Sequence, residues 1–174
     1  ATTDPTFPKN AYGRSKLIGE KGVRNSGAIH IILRTSWIIS SYSRNFVKTM
    51  LNVSKNQNKL KIVNDQIGAP TTAKNIATTC LILAERLRDD PSKSGTYHFS
   101  GSSNVSWAEF ATEIFRLTSC NVEIIPVATS NYHTPAKRPL NSRLDCSKIK
   151  KVFDIERPDW HEGLIKILKK LEVI

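Results

Sequence analysis

The chain has 174 residues, 39% of them hydrophobic, and carries a formal net charge of +11 at pH 7. That length and apolar content allow one domain with a real core, and no low-complexity tract, internal repeat or apolar run near the ~18 residues of a membrane span interrupts it. The basic residues are scattered among several segments without a zinc knuckle, an RNA-recognition signature or basic-aromatic alternation, so the charge reads as solvated surface and not as a nucleic-acid site.

Asn10 to Arg24 reads as a helix ended by the Asn25-Ser-Gly27 turn. Tyr12 and Lys16 lie four residues apart on it and share one face. A free phenol titrates near ~10, and a nearby ammonium favours its phenolate form. Such a pair can therefore protonate a carbonyl oxygen while hydride reaches the carbon. The plain alternative is a solvated pair, with Lys16 an i,i+4 partner of Glu20.

Ile29 to Leu33 is a short apolar run that reads as a buried strand, with Thr35, Ser36 and Trp37 just past its C-terminal end. In a doubly wound sheet that is where the ligand crevice lies. Ser43 to Ser54 suits a helix, Leu60 to Val63 a strand, and Asp65 to Pro70 a loop. Ala73 to Leu87 reads as an amphipathic helix with Ile76, Ala77, Cys80, Leu81, Ala84 and Leu87 in one stripe, which makes Cys80 a core thiol. Gly95 to Phe99 is a strand, and Ser106-Trp-Ala-Glu109 is a capping box that opens a helix. Val122 to Ile125 is a strand, Ala128 to Asn141 a loop with Pro135 and Pro139, Asp145 to Phe153 a short helix, and Trp160 to Leu171 a terminal helix. Strands alternating with helices indicate an α/β protein.

Cys80, Cys120 and Cys146 are odd in number and widely spaced, without metal-ligand pairs, and Ala1-Thr-Thr-Asp-Pro5 does not read as a secretory signal. A cytoplasmic protein is expected. His30, His98, His133 and His161 do not cluster in sequence and read as structural or exposed, so no metal site is expected.

Several motifs stand in a characteristic order: Asn10-Ala-Tyr-Gly-Arg-Ser-Lys-Leu-Ile-Gly-Glu20, Leu33-Arg-Thr-Ser-Trp37, Asn45-Phe-Val-Lys-Thr-Met-Leu51, Asn64-Asp-Gln-Ile-Gly-Ala-Pro-Thr71 and Arg138-Pro-Leu-Asn-Ser-Arg-Leu-Asp145. Together they resemble the extended short-chain dehydrogenase/reductase superfamily and, within it, the dTDP-4-dehydrorhamnose reductases. The resemblance runs from about Asp4 to the C-terminus. It implies the C-terminal part of a doubly wound Rossmann-like fold over residues 1–63, then a small α/β substrate-binding lobe over 64–174, with the two lobes interleaved. It also implies NADPH or NADH as cofactor and a nucleotide-sugar substrate. Tyr12 and Lys16 would be catalytic and would also contact the cofactor, with Lys16 reaching the nicotinamide ribose.

Thr35 and Ser36 would approach the nicotinamide, or else make strand-end hydrogen bonds. Trp37 would line the sugar pocket, or else join a core. Arg138, and more weakly Arg143, would clamp the diphosphate, since a guanidinium matches phosphate oxygens bidentately. Asn64, Asp65 and Gln66 would contact substrate or simply cap their loop.

No glycine-rich phosphate turn follows a strand here, because Gly13, Gly19 and Gly22 fall inside the first helical run. The expectation is that about 110–120 residues of a family member, the first half of its cofactor domain, are absent. The family's catalytic Ser or Thr falls in that part, so the chain alone is expected to be inactive. Some family members join a dimer through magnesium held by glutamates; here Lys74, Lys169 and Lys170 stand where acids would be wanted, which argues against magnesium while leaving a homodimer open. Two other readings share the motifs: a non-catalytic module like the reductase-like subunits of methionine adenosyltransferase, and a related nucleotide-sugar epimerase.

Overall fold

The computed structural model describes residues 1–132 and 138–174. His133 and Pro135 lie outside the described residues. The first helix, α1 (Ala11–Asn25), starts where the Asn10 side chain accepts a hydrogen bond from the Gly13 amide at 2.8 Å. There follow β1 (Ile31–Arg34), β2 (Ile38–Ile39), α2 (Phe46–Val53), β3 (Lys59–Val63), β4 (Ile67–Gly68), β5 (Thr71–Thr72), α3 (Ala73–Asp89) and β6 (Gly95–His98). Then come β7 (Val105–Ser106), α4 (Trp107–Leu117), β8 (Glu123–Val127), α5 (Ser147–Phe153) and α6 (Trp160–Lys170). Short 3-10 turns at Pro91–Lys93 and Thr129–Asn131 complete the described elements.

The strands form two-stranded ladders. β1 pairs with β6, β2 with β5 and β3 with β8, all parallel, while β4 and β7 are antiparallel. The register sets Arg34 opposite His98 and Val63 opposite Val127. Parallel pairs need long crossovers, and here the crossovers carry the helices.

Two apolar clusters fill the interior. One joins α2, β3, α4 and α6 through Val47, Ile62, Phe110, Ile114, Leu164 and Leu168. The other joins α3, β6 and α5 through Leu83, Tyr97, Phe99, Cys146, Ile149 and Phe153, with Ile31 and Leu33 of β1 packed on it. Residues on both sides of position 63 enter the first cluster, and β1 packs on the second. The chain thus visits the two clusters alternately.

Most elements fall where the sequence places them. In the capping box at α4, Ser106 Oγ accepts from the Glu109 amide at 3.1 Å and Glu109 Oε2 accepts from the Ser106 amide at 2.6 Å. Two expectations are corrected. The Asp65–Pro70 stretch is not all loop, since Ile67 and Gly68 pair with β7. The apolar stripe of α3 is also largely on the outside: Ala77, Cys80, Leu81 and Ala84 are exposed, so Cys80 is not a core thiol. The face turned to the sheet carries Thr79 and Leu83, because α3 is apolar on more than one side and the contact with β1 and β5 selects among them. Among the described residues no helix is long and apolar enough to cross a membrane.

Candidate active site

Tyr12 and Lys16 sit in the first turns of α1, on a helix that buries none of its residues. Tyr12 is 71% exposed, and the Lys16 ammonium stands 5.4 Å from the centre of its ring. Among the described residues neither the phenol nor the ammonium has a hydrogen-bond partner, so both remain donors for a ligand. Glu20, the acid that could have engaged Lys16, is occupied elsewhere. Its Oε1 accepts from Arg34 Nε at 2.7 Å, and its Oε2 accepts from Arg34 Nη2 at 2.6 Å and from Arg24 Nη2 at 2.9 Å. Hydrogen bonding from the Arg34 guanidinium holds the Glu20 carboxyl below its ordinary range, and the same bond raises Arg34. Arg24 also donates to Thr96 Oγ1 at 3.0 Å. Helix α1 is therefore tied to the ends of β1 and β6 by charged hydrogen bonds, which orient the Tyr12–Lys16 face without burying it.

The segment after β1 separates Thr35 from Ser36. Ser36 Oγ donates to the Ala69 carbonyl at 3.2 Å, the strand-end bond that is its plain reading. Thr35 Oγ1 is buried and has no partner, and a buried hydroxyl left unmet costs about 1–3 kcal/mol, so this atom is prepared for an added one. His98, across the ladder, is also buried with neither ring nitrogen in hydrogen-bonding geometry. Burial, then the charge of Arg34, pushes its pKa down; the Asp145 backbone and carboxylate only partly offset this.

Trp37 takes a left-handed backbone, φ 46°, uncommon for a residue with a Cβ. Its ring lies parallel to that of Trp107, with centroids 3.6 Å apart and planes 12° from parallel. The indole also meets Gly68, where a Cβ would come within 2.6 Å of it. Trp107 also meets Phe46, with ring centroids 4.5 Å apart, and lines a cavity of about 550 Å³ together with Arg44, Gln66, Tyr132 and Arg138. Trp37 thus reaches this cavity through Trp107 and is not itself among its lining residues. The two guanidiniums and the aromatic wall suit an anionic ligand with a flat ring.

Arg143 is outside this arrangement: it is exposed, with Nε donating to Asn141 Oδ1 at 2.9 Å. Asp65 caps its loop, accepting from the Thr129 amide at 2.9 and 3.0 Å and from Thr129 Oγ1 at 2.6 Å. The Thr129 bonds lower its pKa. Gln66 Nε2 donates to the same hydroxyl at 3.0 Å while also lining the cavity. Sequence reasoning missed Arg44, Phe46, Trp107 and Tyr132. Phe46 lay inside a recognised motif, and Trp107 was hidden in a capping box, where it read only as the start of a helix. Among the described residues no group of three or more His, Cys, Asp or Glu is placed to hold a metal.

Parallel ladders crossed by helices, with a Tyr–Lys pair on a helix that Glu20 ties to Arg34 of β1, define an α/β fold of the Rossmann type found in short-chain dehydrogenases and nucleotide-sugar epimerases. The chain belongs to the RmlD substrate binding domain family, whose model matches residues 1–173. It is 40% identical to a dTDP-4-dehydrorhamnose reductase of Sinorhizobium fredii over 95% of this chain, and 38% identical to one of Salmonella typhimurium over 97%. It spans about 58% of the length of each. A solved reductase from Clostridium acetobutylicum is similar at TM-score 0.88 and 36% identity, covering 98% of this chain and 59% of that one. Another from Bacillus anthracis, in complex with NADP, is similar at TM-score 0.86 and 33% identity, covering 97% of this chain and 58% of that one.

Proposed function

We propose that this chain is the part of a dTDP-4-dehydrorhamnose reductase that holds its proton donor and its sugar-nucleotide pocket, in the reduction of dTDP-4-dehydro-L-rhamnose to dTDP-L-rhamnose. The observation that carries the reading is the open Tyr12–Lys16 pair, freed for a ligand because Arg34 and Arg24 take Glu20.

The residues fit a nicotinamide cofactor, NADPH or NADH. Thr35 Oγ1 is a buried hydroxyl lacking a partner, at a strand end where such a ring would come, and Lys16 offers an ammonium to ribose hydroxyls. When bound, the cofactor supplies the hydride that goes to C4 of the keto sugar. Tyr12 gives its phenolic proton to the C4 oxygen, with the Lys16 ammonium 5.4 Å from its ring centre. Arg138 and Arg44 hold the diphosphate, and Phe46 and Trp107 form a wall for the flat base. Trp37, braced between Gly68 and Trp107, carries the wall toward the sugar. A nucleotide-sugar substrate places this chemistry in the cytoplasm.

The test joins this chain to the N-terminal part of the Salmonella typhimurium relative and follows NADPH oxidation that depends on dTDP-4-dehydro-L-rhamnose. Tyr12→Phe is expected to lower turnover by ~10²–10⁴ with substrate binding largely kept. Turnover within about twofold of the parent removes Tyr12 from the mechanism. The chain alone is expected to show no turnover, since it carries no glycine-rich turn to hold the pyrophosphate.

A further inference from the structure

A side-chain amide is nearly symmetric in shape, so its oxygen and nitrogen can exchange places unless a neighbour decides between them. For Gln66 the neighbours decide. Asp65, just past β3, accepts from the Thr129 amide at 2.9 and 3.0 Å and from Thr129 Oγ1 at 2.6 Å. These bonds lower its pKa, so at neutral pH it is a carboxylate, which accepts and cannot donate. The hydroxyl proton of Thr129 is therefore committed to Asp65. Toward Gln66 the same oxygen can only accept, and it does so from Nε2 at 3.0 Å. A reversed amide would set Oε1 against an oxygen with no proton left to give. Nε2 thus faces Thr129, and Oε1 is turned away from it.

Gln66 is 5% exposed and lines the cavity of Arg44, Phe46, Trp107 and Arg138. Its Oε1 has no hydrogen-bond partner among the described residues. A fixed acceptor beside an aromatic wall suits the edge of a flat base that carries an N–H. It disfavours a base that brings a lone pair to the same place, because two acceptors then meet away from water. Thymine and uracil carry an N–H at N3, where cytosine has a bare nitrogen.

We propose that Gln66 makes this pocket select an imide base, its Oε1 accepting from N3–H of thymine or uracil, and that Asp65, acting through Thr129, is the positioning residue that sets this preference. The inference rests on the reading of the Arg44–Arg138 cavity as the nucleotide pocket, and adds to it which edge of the base is read and by which atom.

The experiment measures binding of dTDP, dUDP and dCDP to the full chain by isothermal titration calorimetry, in the parent and in Asp65→Asn, Gln66→Leu and Arg138→Ala. Uracil against cytosine changes the edge of the base and keeps the ring. In the parent, dUDP should bind about tenfold or more tighter than dCDP, with dTDP within about threefold of dUDP. Asp65→Asn keeps an oxygen for the Thr129 amide and gains an N–H that can donate to Thr129 Oγ1. The hydroxyl is then released to donate to Gln66, the amide can turn over, and the preference for dUDP should fall to within about threefold. Damage to the fold alone would weaken the nucleotides alike and leave their ratio standing. Gln66→Leu, similar in volume, should also abolish the preference, chiefly by weakening dUDP. Arg138→Ala should weaken all the nucleotides by about tenfold and leave their ratio unchanged.

If Arg138→Ala weakens all of them while the parent binds dUDP and dCDP within about twofold, the nucleotide pocket stands and the role of Gln66 is overturned by itself. A full preference retained in Asp65→Asn would overturn the positioning role of Asp65. If dTDP does not bind, or binds equally well to Arg138→Ala, the pocket reading fails and this inference falls with it.

Discussion

Helix α1, which carries Tyr12 and Lys16, buries none of its residues, whereas α4 and α6 bury five each. The first is held by Glu20, Arg34, Arg24 and Thr96; the second two are held by Phe110, Ile114, Trp160, Leu164 and their neighbours. Apolar burial supplies most of the free energy of a fold, while charged hydrogen bonds at a half-exposed site supply direction more than stability. In this chain by itself the Tyr12–Lys16 face therefore rides on a helix held by polar contacts beside a strongly packed lobe. Such regions open locally without unfolding the whole.

The largest effect should come from the packed lobe. Phe110→Ala removes a fully buried ring at the centre of the aromatic cluster and is expected to destabilise the chain by ~3–5 kcal/mol, read from urea melts. Ile18→Ala, on exposed α1, should stay within about 0.5 kcal/mol. Comparable losses from the two would erase the contrast.

A smaller effect is expected at the anchor. Arg34→Gln removes the two-point bond to Glu20 and should lower the protection of α1 amides against hydrogen exchange by ~1.5–3 kcal/mol, with α4 and α6 amides almost unaffected. Uniform loss across all helices would mean that α1 opens only with the core.

The last effect is a dependence on pH, which near α1 runs through His98 and Glu20. His98 has a lowered pKa in the fold, so below its ordinary value near 6.5 the unfolded chain takes up a proton that the folded chain refuses. Stability then falls as pH drops from about 6.5 toward the folded value. Glu20 is lowered by Arg34, so its contribution is full above the ordinary carboxyl value of 4.5 and is lost as pH falls through the folded one. Exchange at α1 and β1 should quicken in these two stages, and His98→Leu should remove the first. If α4 and α6 loosen in step with α1 at mild acidity, the His98 titration acts on the whole fold and the local account fails.

Local grammar told most of the element order: the helical run from Asn10, the Gly27 turn, the Ser106–Glu109 box and the periodicity of α6 all act within a few residues. The strands β2, β4, β5 and β7 were not readable, because two-residue pairs owe their existence to a partner 33 or more residues away in sequence. The exposed side of α3 was misjudged for a related reason. Its stripe of Ala77, Cys80, Leu81 and Ala84 is as apolar as a core face, and only contact with β1 and β5 shows which side turns inward.

The candidate site divides along the same line. Tyr12 and Lys16 were legible because an i,i+4 spacing is geometry in itself, fixed by the rise of a helix. Thr35 and Ser36 were indistinguishable in sequence, and the structure parts them through one bond to Ala69 and one orphaned hydroxyl. What the sequence by itself determined was the helical pair, the motif order and the family they define, all properties of neighbouring residues. What only tertiary structure decided was the release of Lys16 from Glu20, the seating of Trp37 against Trp107, and the cavity that Arg44 shares with Arg138. Each depends on side chains that meet across distant segments, where packing and charge pairing, and not local spacing, choose the partner.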